Sequence, residues 1–274
     1  MRSRGHPGSC LRLGGTPRPT HRCMGNQKEG GASRPGEPGY RLVPGFVVRR
    51  ILCGLLLSVS TPAFAAHLFI LAGQSNMQRL DPASSFTPAV EAAFGKERVI
   101  VVHDAHGGQP ISRWCKTAAP DKRKGHEKAG DLYDGLLAKI RTALSGRAIT
   151  SATLVWMQGE ADARRMSGAQ YARHLRELIA QFEGDLGHPG LYAVIGRLSD
   201  HGLTQPKYTH WADIRTAQVA LADAHPRYAW VDTDDLNGPQ NLLHYGKREY
   251  VELGARFATK AIELIQSQET PRDR

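Results

Sequence analysis

Directly after a short apolar run, residues 68–72, the sequence reads Gly73-Gln74-Ser75-Asn76-Met77, a hydroxyl held between two carboxamides. Three more clusters of the same kind follow apolar runs. His103, Asp104, His106 and the pair Gly107-Gly108 come after 99–102, Gln158-Gly159-Glu160-Ala161-Asp162 after 152–157, and His244 beyond 228–231. Acyl transfer needs a hydroxyl to attack, an imidazole to take its proton, a group to hold that imidazole, and N–H donors for the developing oxyanion. The four clusters offer all of these. Ser75 carries the hydroxyl. Its own N–H, that of Gly108 and the Gln158 carboxamide are candidate oxyanion donors. Each cluster also has a plainer reading: a helix cap at Ser75, a turn at Gly107-Gly108, helix-start carboxylates at Glu160 and Asp162, a surface or core histidine at His244. Their joint placement after apolar runs favours chemistry.

These residues need a frame. The runs at 68–72, 99–102, 152–157, 191–196 and 228–231 are mostly continuous rather than alternating, as expected of strands covered on both faces. Between them the spacing predicts helices: one behind Ser167 with Tyr171, Leu175, Leu178 and Phe182 on one face, and one from Asp131 with Leu132, Leu136 and Ile140. Two more are predicted over 209–224 and from Gly246 through Phe257. Strand–helix alternation over about 200 residues predicts a three-layer α/β/α domain with a mostly parallel five-stranded sheet. Ligands of such sheets collect at the carboxyl ends of the strands, where all four clusters lie. The serine motif is not the α/β-hydrolase elbow, because Met77 stands where that motif needs glycine.

Charge and cysteine distribution separate a leader from this domain. Residues 1–65 hold ten Lys/Arg against two Asp/Glu, so most of the formal net charge of +10 belongs to them. The basic balance is therefore no argument for nucleic-acid binding. Residues 1–46, rich in Gly, Pro, Ser and Arg, read as a disordered or over-extended leader. Over 47–65, Arg49-Arg50, the apolar run 51–59 and the Ala63-Phe64-Ala65 box read as a secretory signal cleaved after Ala65, which implies a periplasmic or secreted protein. The run is too short to span a bilayer, so no stable membrane insertion is expected after cleavage. The domain is expected over 66–268 with a polar tail at 269–274. Cys10, Cys23 and Cys53 fall in the leader, leaving Cys115 without a partner for a disulfide. His103 and His106 alone make a weak metal motif, and no metal or other cofactor is expected.

The strings "GQSNM", "GGQPISRW", "WMQGEADA" and a histidine ahead of "ELGARFA" resemble the SGNH hydrolase superfamily, and within it the sialate O-acetylesterase / acetylxylan esterase branch, carbohydrate esterase family six. The resemblance covers nearly all of 67–266. It implies a flavodoxin-like fold and metal-free hydrolysis of O-acetyl groups on sugars, with Ser75 as nucleophile and His244 as base. The oxyanion donors it implies are the Ser75 and Gly108 backbone and the Gln158 region. Gln74, Asn76, Arg113 and Trp114 are expected to meet the sugar, although Trp114 equally fits a core position. The superfamily usually carries an aspartate three residues before the histidine, and here that residue is Asn241. Glu160 is the first candidate to orient His244 instead, followed by Asp235 and Asp162. Rival readings are a GDSL-type lipase or thioesterase, or a glycan-binding relative without activity, the latter favoured by Asn241. The sequence does not fix an oligomeric state.

Overall fold

The computed structural model describes residues 65–269, apart from 121, 123, 124, 126 and 127. The expected leader, nearly all of the expected export signal at 47–65 and the end of the expected polar tail lie outside the described residues.

Among the described residues five strands form one sheet: β1 Ala66–Gly73, β2 Val99–Ala105, β3 Ile149–Met157, β4 Tyr192–Gly196 and β5 Tyr228–Val231. Their order is 2-1-3-4-5 and every neighbouring pair is parallel. β1 is the hinge of this order, with β2 on one side and β3 on the other. That is the flavodoxin-like arrangement, whose crevice opens at the carboxyl ends of β1 and β3. β1, β2 and β3 run longer than their apolar runs. β2 continues through His103 and Asp104, so these two belong to the sheet and not to the loop beyond it.

Among the described residues six α-helices cover the faces: α1 Ser75–Arg79, α2 Phe86–Phe94, α3 Asp131–Leu144, α4 Gly168–Leu186, α5 Trp211–Asp223 and α6 Lys247–Glu269. Ser167 caps α4 through its hydroxyl, which accepts the Gln170 N–H at 3.3 Å. The apolar spacing does not anticipate α2. It is short, and Pro88 lies in its first turn, where a missing N–H costs nothing.

The period-two geometry of β1 divides the core. Leu68, Ile70 and Ala72 pack with Leu136, Leu175, Ile214 and other residues of α3, α4 and α5. Phe69 and Leu71 face the opposite way, onto Phe86, Leu253 and Phe257 of α2 and α6. Each fully buried Leu, Ile or Phe among them contributes roughly 1.5–3 kcal/mol of transfer free energy. Together the two layers set the strand ends rigidly in place. No helix among the described residues is long and apolar enough to cross a membrane.

Candidate active site

A glycine ends β1 because nothing larger fits. Gly73 has φ +144°, and a Cβ there would fall 2.0 Å from the Met157 carbonyl oxygen. The close approach lets Gln74 N–H donate to that oxygen at 2.9 Å, while the Gly73 carbonyl accepts the His106 N–H at 2.9 Å. The ends of β1, β2 and β3 are thus stitched together, and the chain turns straight into α1 with half-buried Ser75 as its first residue.

His244 Nε2 lies 3.0 Å from Ser75 Oγ. With the hydroxyl donating to Nε2, the neutral imidazole carries its proton on Nδ1. Among the described residues Ser75 is the imidazole's one hydrogen-bond partner, so no carboxylate touches the ring. Burial holds the His244 pKa below its ordinary 6.5, and the positive charge of Arg79 and the neighbouring His201 push the same way.

The proposed third members are all engaged elsewhere. Glu160, 3 % exposed, accepts from Asn76 Nδ2 at 3.0 Å through Oε1, while Oε2 has no hydrogen-bond partner among the described residues. Burial pushes its pKa up to about 7. Asn76 Nδ2 also donates to the Leu243 carbonyl at 3.1 Å, and Asn76 Oδ1 accepts from the Tyr250 hydroxyl at 2.9 Å. Glu160 therefore bears on His244 through the backbone: it aims Asn76, and Asn76 holds the residue immediately before the histidine. Asp235 is paired with Arg256 on the surface. Asp162 accepts from Ile111 N–H at 2.9 Å and from Gln158 Nε2. Asn241 has φ +48°, its Oδ1 accepts from Asn237 Nδ2 at 2.8 Å, and its carbonyl accepts from the His201 ring.

The other expected site residues divide between the cleft and the frame. Gly108, with φ +69° and open space where a side chain would project, lines the cleft beside Ser75. Gln158 is fully buried, and its Nε2 already faces Asp162, the Gln109 carbonyl and Gln74 Oε1. That amide braces the β2 loop against β3 and is not presented to the cleft as a spare donor. Gln74 Oε1 accepts the Ala161 N–H at 3.2 Å, again a brace. Arg113 forks onto Asp131 and reaches Gln109. Trp114 is fully buried, edge-on to Trp156 at 5.3 Å, which makes it a core residue out of reach of a sugar. His103 faces the Met77 carbonyl and His106 faces Asp104, so the two rings do not converge. Arg215 and Gln218 support the frame. Gln218 joins the Gln158 carbonyl to the Leu198 N–H, and Arg215 pairs with Asp234.

A cleft of about 900 Å³ opens over Ser75 and His244. Its walls include Gln78, Tyr208 and three guanidinium groups, Arg79, Arg164 and Arg165, that the sequence does not single out. Arg79 carries a signal: it stands four residues after Ser75, on the same helical face. Arg164, whose guanidinium stacks 5.2 Å above Tyr208, carries none, because it ends a single 3-10 turn, Asp162–Arg164, too short to set a period.

No curated protein sequence matches the chain. Among solved structures, one from Arabidopsis thaliana superposes with TM-score 0.54 at 19 % identity, covering 73 % of this chain and 99 % of that one. A novel carbohydrate acetylesterase from Xanthomonas citri gives 0.54 at 17 % identity over 73 % of this chain, which spans 56 % of that protein's length. The protein NanS gives 0.51 at 12 % identity, covering 75 % and 98 %. At these identities the superpositions speak for the fold. The sequence model of the family described as carbohydrate esterase, sialic acid-specific acetylesterase matches residues 78–263, most of the domain, and the chain belongs to that carbohydrate acetylesterase family.

Proposed function

We propose that the protein is an exported serine esterase of the sialate O-acetylesterase / acetylxylan esterase branch, carbohydrate esterase family six, which removes O-acetyl groups from glycans through an acetyl-enzyme. The observation that carries this reading is the 3.0 Å approach of His244 Nε2 to Ser75 Oγ at the base of the cleft.

In this reading Ser75 Oγ attacks the acetyl carbonyl carbon while His244 Nε2 takes its proton. The carbonyl oxygen, now negative, is met by the N–H groups of Ser75 and Gly108. The tetrahedral adduct collapses, and the sugar oxygen leaves with the proton from His244. Water then attacks the acetyl-serine, with His244 again as base, and acetate departs. Two features stand in for the missing carboxylate. Burial and nearby positive charge keep the imidazole neutral and ready to accept a proton. Asn76 pins the Leu243 carbonyl and so fixes the segment from which the ring projects.

The three cleft arginines favour a substrate bearing a carboxylate near the acetyl ester. O-Acetyl sialic acid should accordingly outrank acetylated xylan, with O-acetylated peptidoglycan as the third substrate to compare. Acetate release from all three by the purified mature domain, with Ser75→Ala as control, tests the assignment. Release that persists in the serine variant, or none from any substrate, refutes it. Export rests on the basic pair, apolar run and Ala-Phe-Ala box. N-terminal sequencing of the native protein should find a start near residue 66, and a native protein that retains residues 1–46 contradicts that part.

A further inference from the structure

Apart from Ser75 and His244, three side chains from two segments hold their ligand atoms within 4.8 Å of one another. Cys115 follows the turn Ile111–Arg113, and His174 and Glu177 lie one turn apart on α4. The Cys115 Sγ is 3.9 Å from His174 Nδ1 and 3.7 Å from Glu177 Oε2, and Nδ1 is 3.1 Å from Oε2. A tetrahedral zinc ion with Zn–S of about 2.3 Å and Zn–N and Zn–O of about 2.05 Å has ligand–ligand edges of about 3.6, 3.6 and 3.4 Å. All three distances match within a few tenths of an ångström. The Thr117 hydroxyl donates to Glu177 Oε2 at 2.6 Å and lies 3.1 Å from Cys115 Sγ, closer than a fellow ligand would sit, so it braces the ligand atoms from outside.

The geometry also argues against a second nucleophilic triad. In a Cys-His-Glu relay the thiol and the carboxylate face opposite nitrogens of the ring, so that a proton can be passed across it. Here both face the same nitrogen, Nδ1. Atoms gathered on one point suit an ion better than a relay. The donor set of one sulfur, one imidazole nitrogen and one carboxylate oxygen suits zinc.

We propose that Cys115, His174 and Glu177 bind a zinc-class divalent cation, Cys115 as thiolate with its proton released to solvent, and water completing four ligands. Cys115 and His174 are buried, while Glu177 is one-third exposed and gives the ion its way in. The ion ties the segment carrying Cys115 to α4. That segment continues into Ala118 and Ala119, which wall the active-site cleft together with His174, so occupancy fixes one side of the cleft.

The test is metal binding by the reduced, metal-stripped domain, titrated with Zn²⁺ alone and with Co²⁺ alone. One ion per chain is expected, and the cobalt form should show thiolate-to-cobalt charge-transfer absorption. Cys115→Ser should abolish that absorption. Glu177→Gln, at the exposed edge where folding is not at stake, should weaken Zn²⁺ binding by at least the ~10-fold that losing an outer partner of a metal site costs. No uptake by the wild type overturns the proposal, as does an unchanged cobalt spectrum in Cys115→Ser or an undiminished affinity in Glu177→Gln.

Discussion

Glu160→Gln separates a carboxylate that serves as a charge from one that serves as a hydrogen-bond acceptor. Glu160 is buried and accepts from Asn76 at 3.0 Å, and its second oxygen has no hydrogen-bond partner among the described residues. Its pKa rises from an ordinary 4.5 to about 7 because burial penalises the charged form. The folded protein therefore holds this proton over a range where the unfolded chain has released it, and stability must fall as pH rises from about 4.5 to about 7. That displacement corresponds to a cost on the order of 3 kcal/mol, fully expressed above neutrality. A glutamine at this position would keep the acceptor for Asn76 and could not ionise. Urea unfolding of both proteins at about pH 4 and about pH 8.5 measures the difference. The variant should gain on the order of 3 kcal/mol relative to wild type between the two conditions. An equal gap at both pH values, or a variant that loses ground at the higher one, refutes the reasoning.

His244→Ala should lower p-nitrophenyl acetate turnover by at least ~10⁴-fold, as loss of a proton acceptor from a serine nucleophile does elsewhere. Because the imidazole must be neutral to act as base and its pKa is depressed, the acid limb of kcat/KM should lie below pH 6.5. Arg79→Gln removes one of the charges that depress it and should move that limb upward, and a downward move contradicts the assigned cause. Tyr250→Phe deprives Asn76 Oδ1 of its donor and Tyr245 N–H of its acceptor. It should cost about 1–3 kcal/mol in urea unfolding for each buried group left unpaired, and an unchanged midpoint excludes that role.

The strand ends are legible because continuous apolar runs mark doubly covered strands, and each run stops at a polar cluster. Ser75 and His244 follow from that rule, and the structure brings them to hydrogen-bond distance. What the sequence hides is where carboxamides and carboxylates point. Gln158 and Asp162 are four residues apart in a loop, where spacing carries no direction, and they turn toward each other. Trp114 follows Arg113 in a turn that sends the indole inward onto Trp156, and nothing in "ISRW" distinguishes that from an outward turn. Asn76 reads as a substrate contact in the sequence because it adjoins the serine. Yet the residue after a helix-initial serine faces a different side, here the Tyr250 hydroxyl and the Glu160 carboxylate.

The hydrogen bond between Ser75 and His244 spans 169 positions of chain. Its consequence concerns time as well as space. β1, the first strand, lies between β2 and β3, and His244 arrives only after β5 has been laid down at the far edge. Such long-range closure is slow relative to local helix formation. A growing chain that has not yet delivered His244 lacks the imidazole that faces Ser75 in the folded protein. The pairing of Ser75 with His244 therefore waits for residue 244 to be made, and truncation anywhere before it leaves Ser75 without that partner.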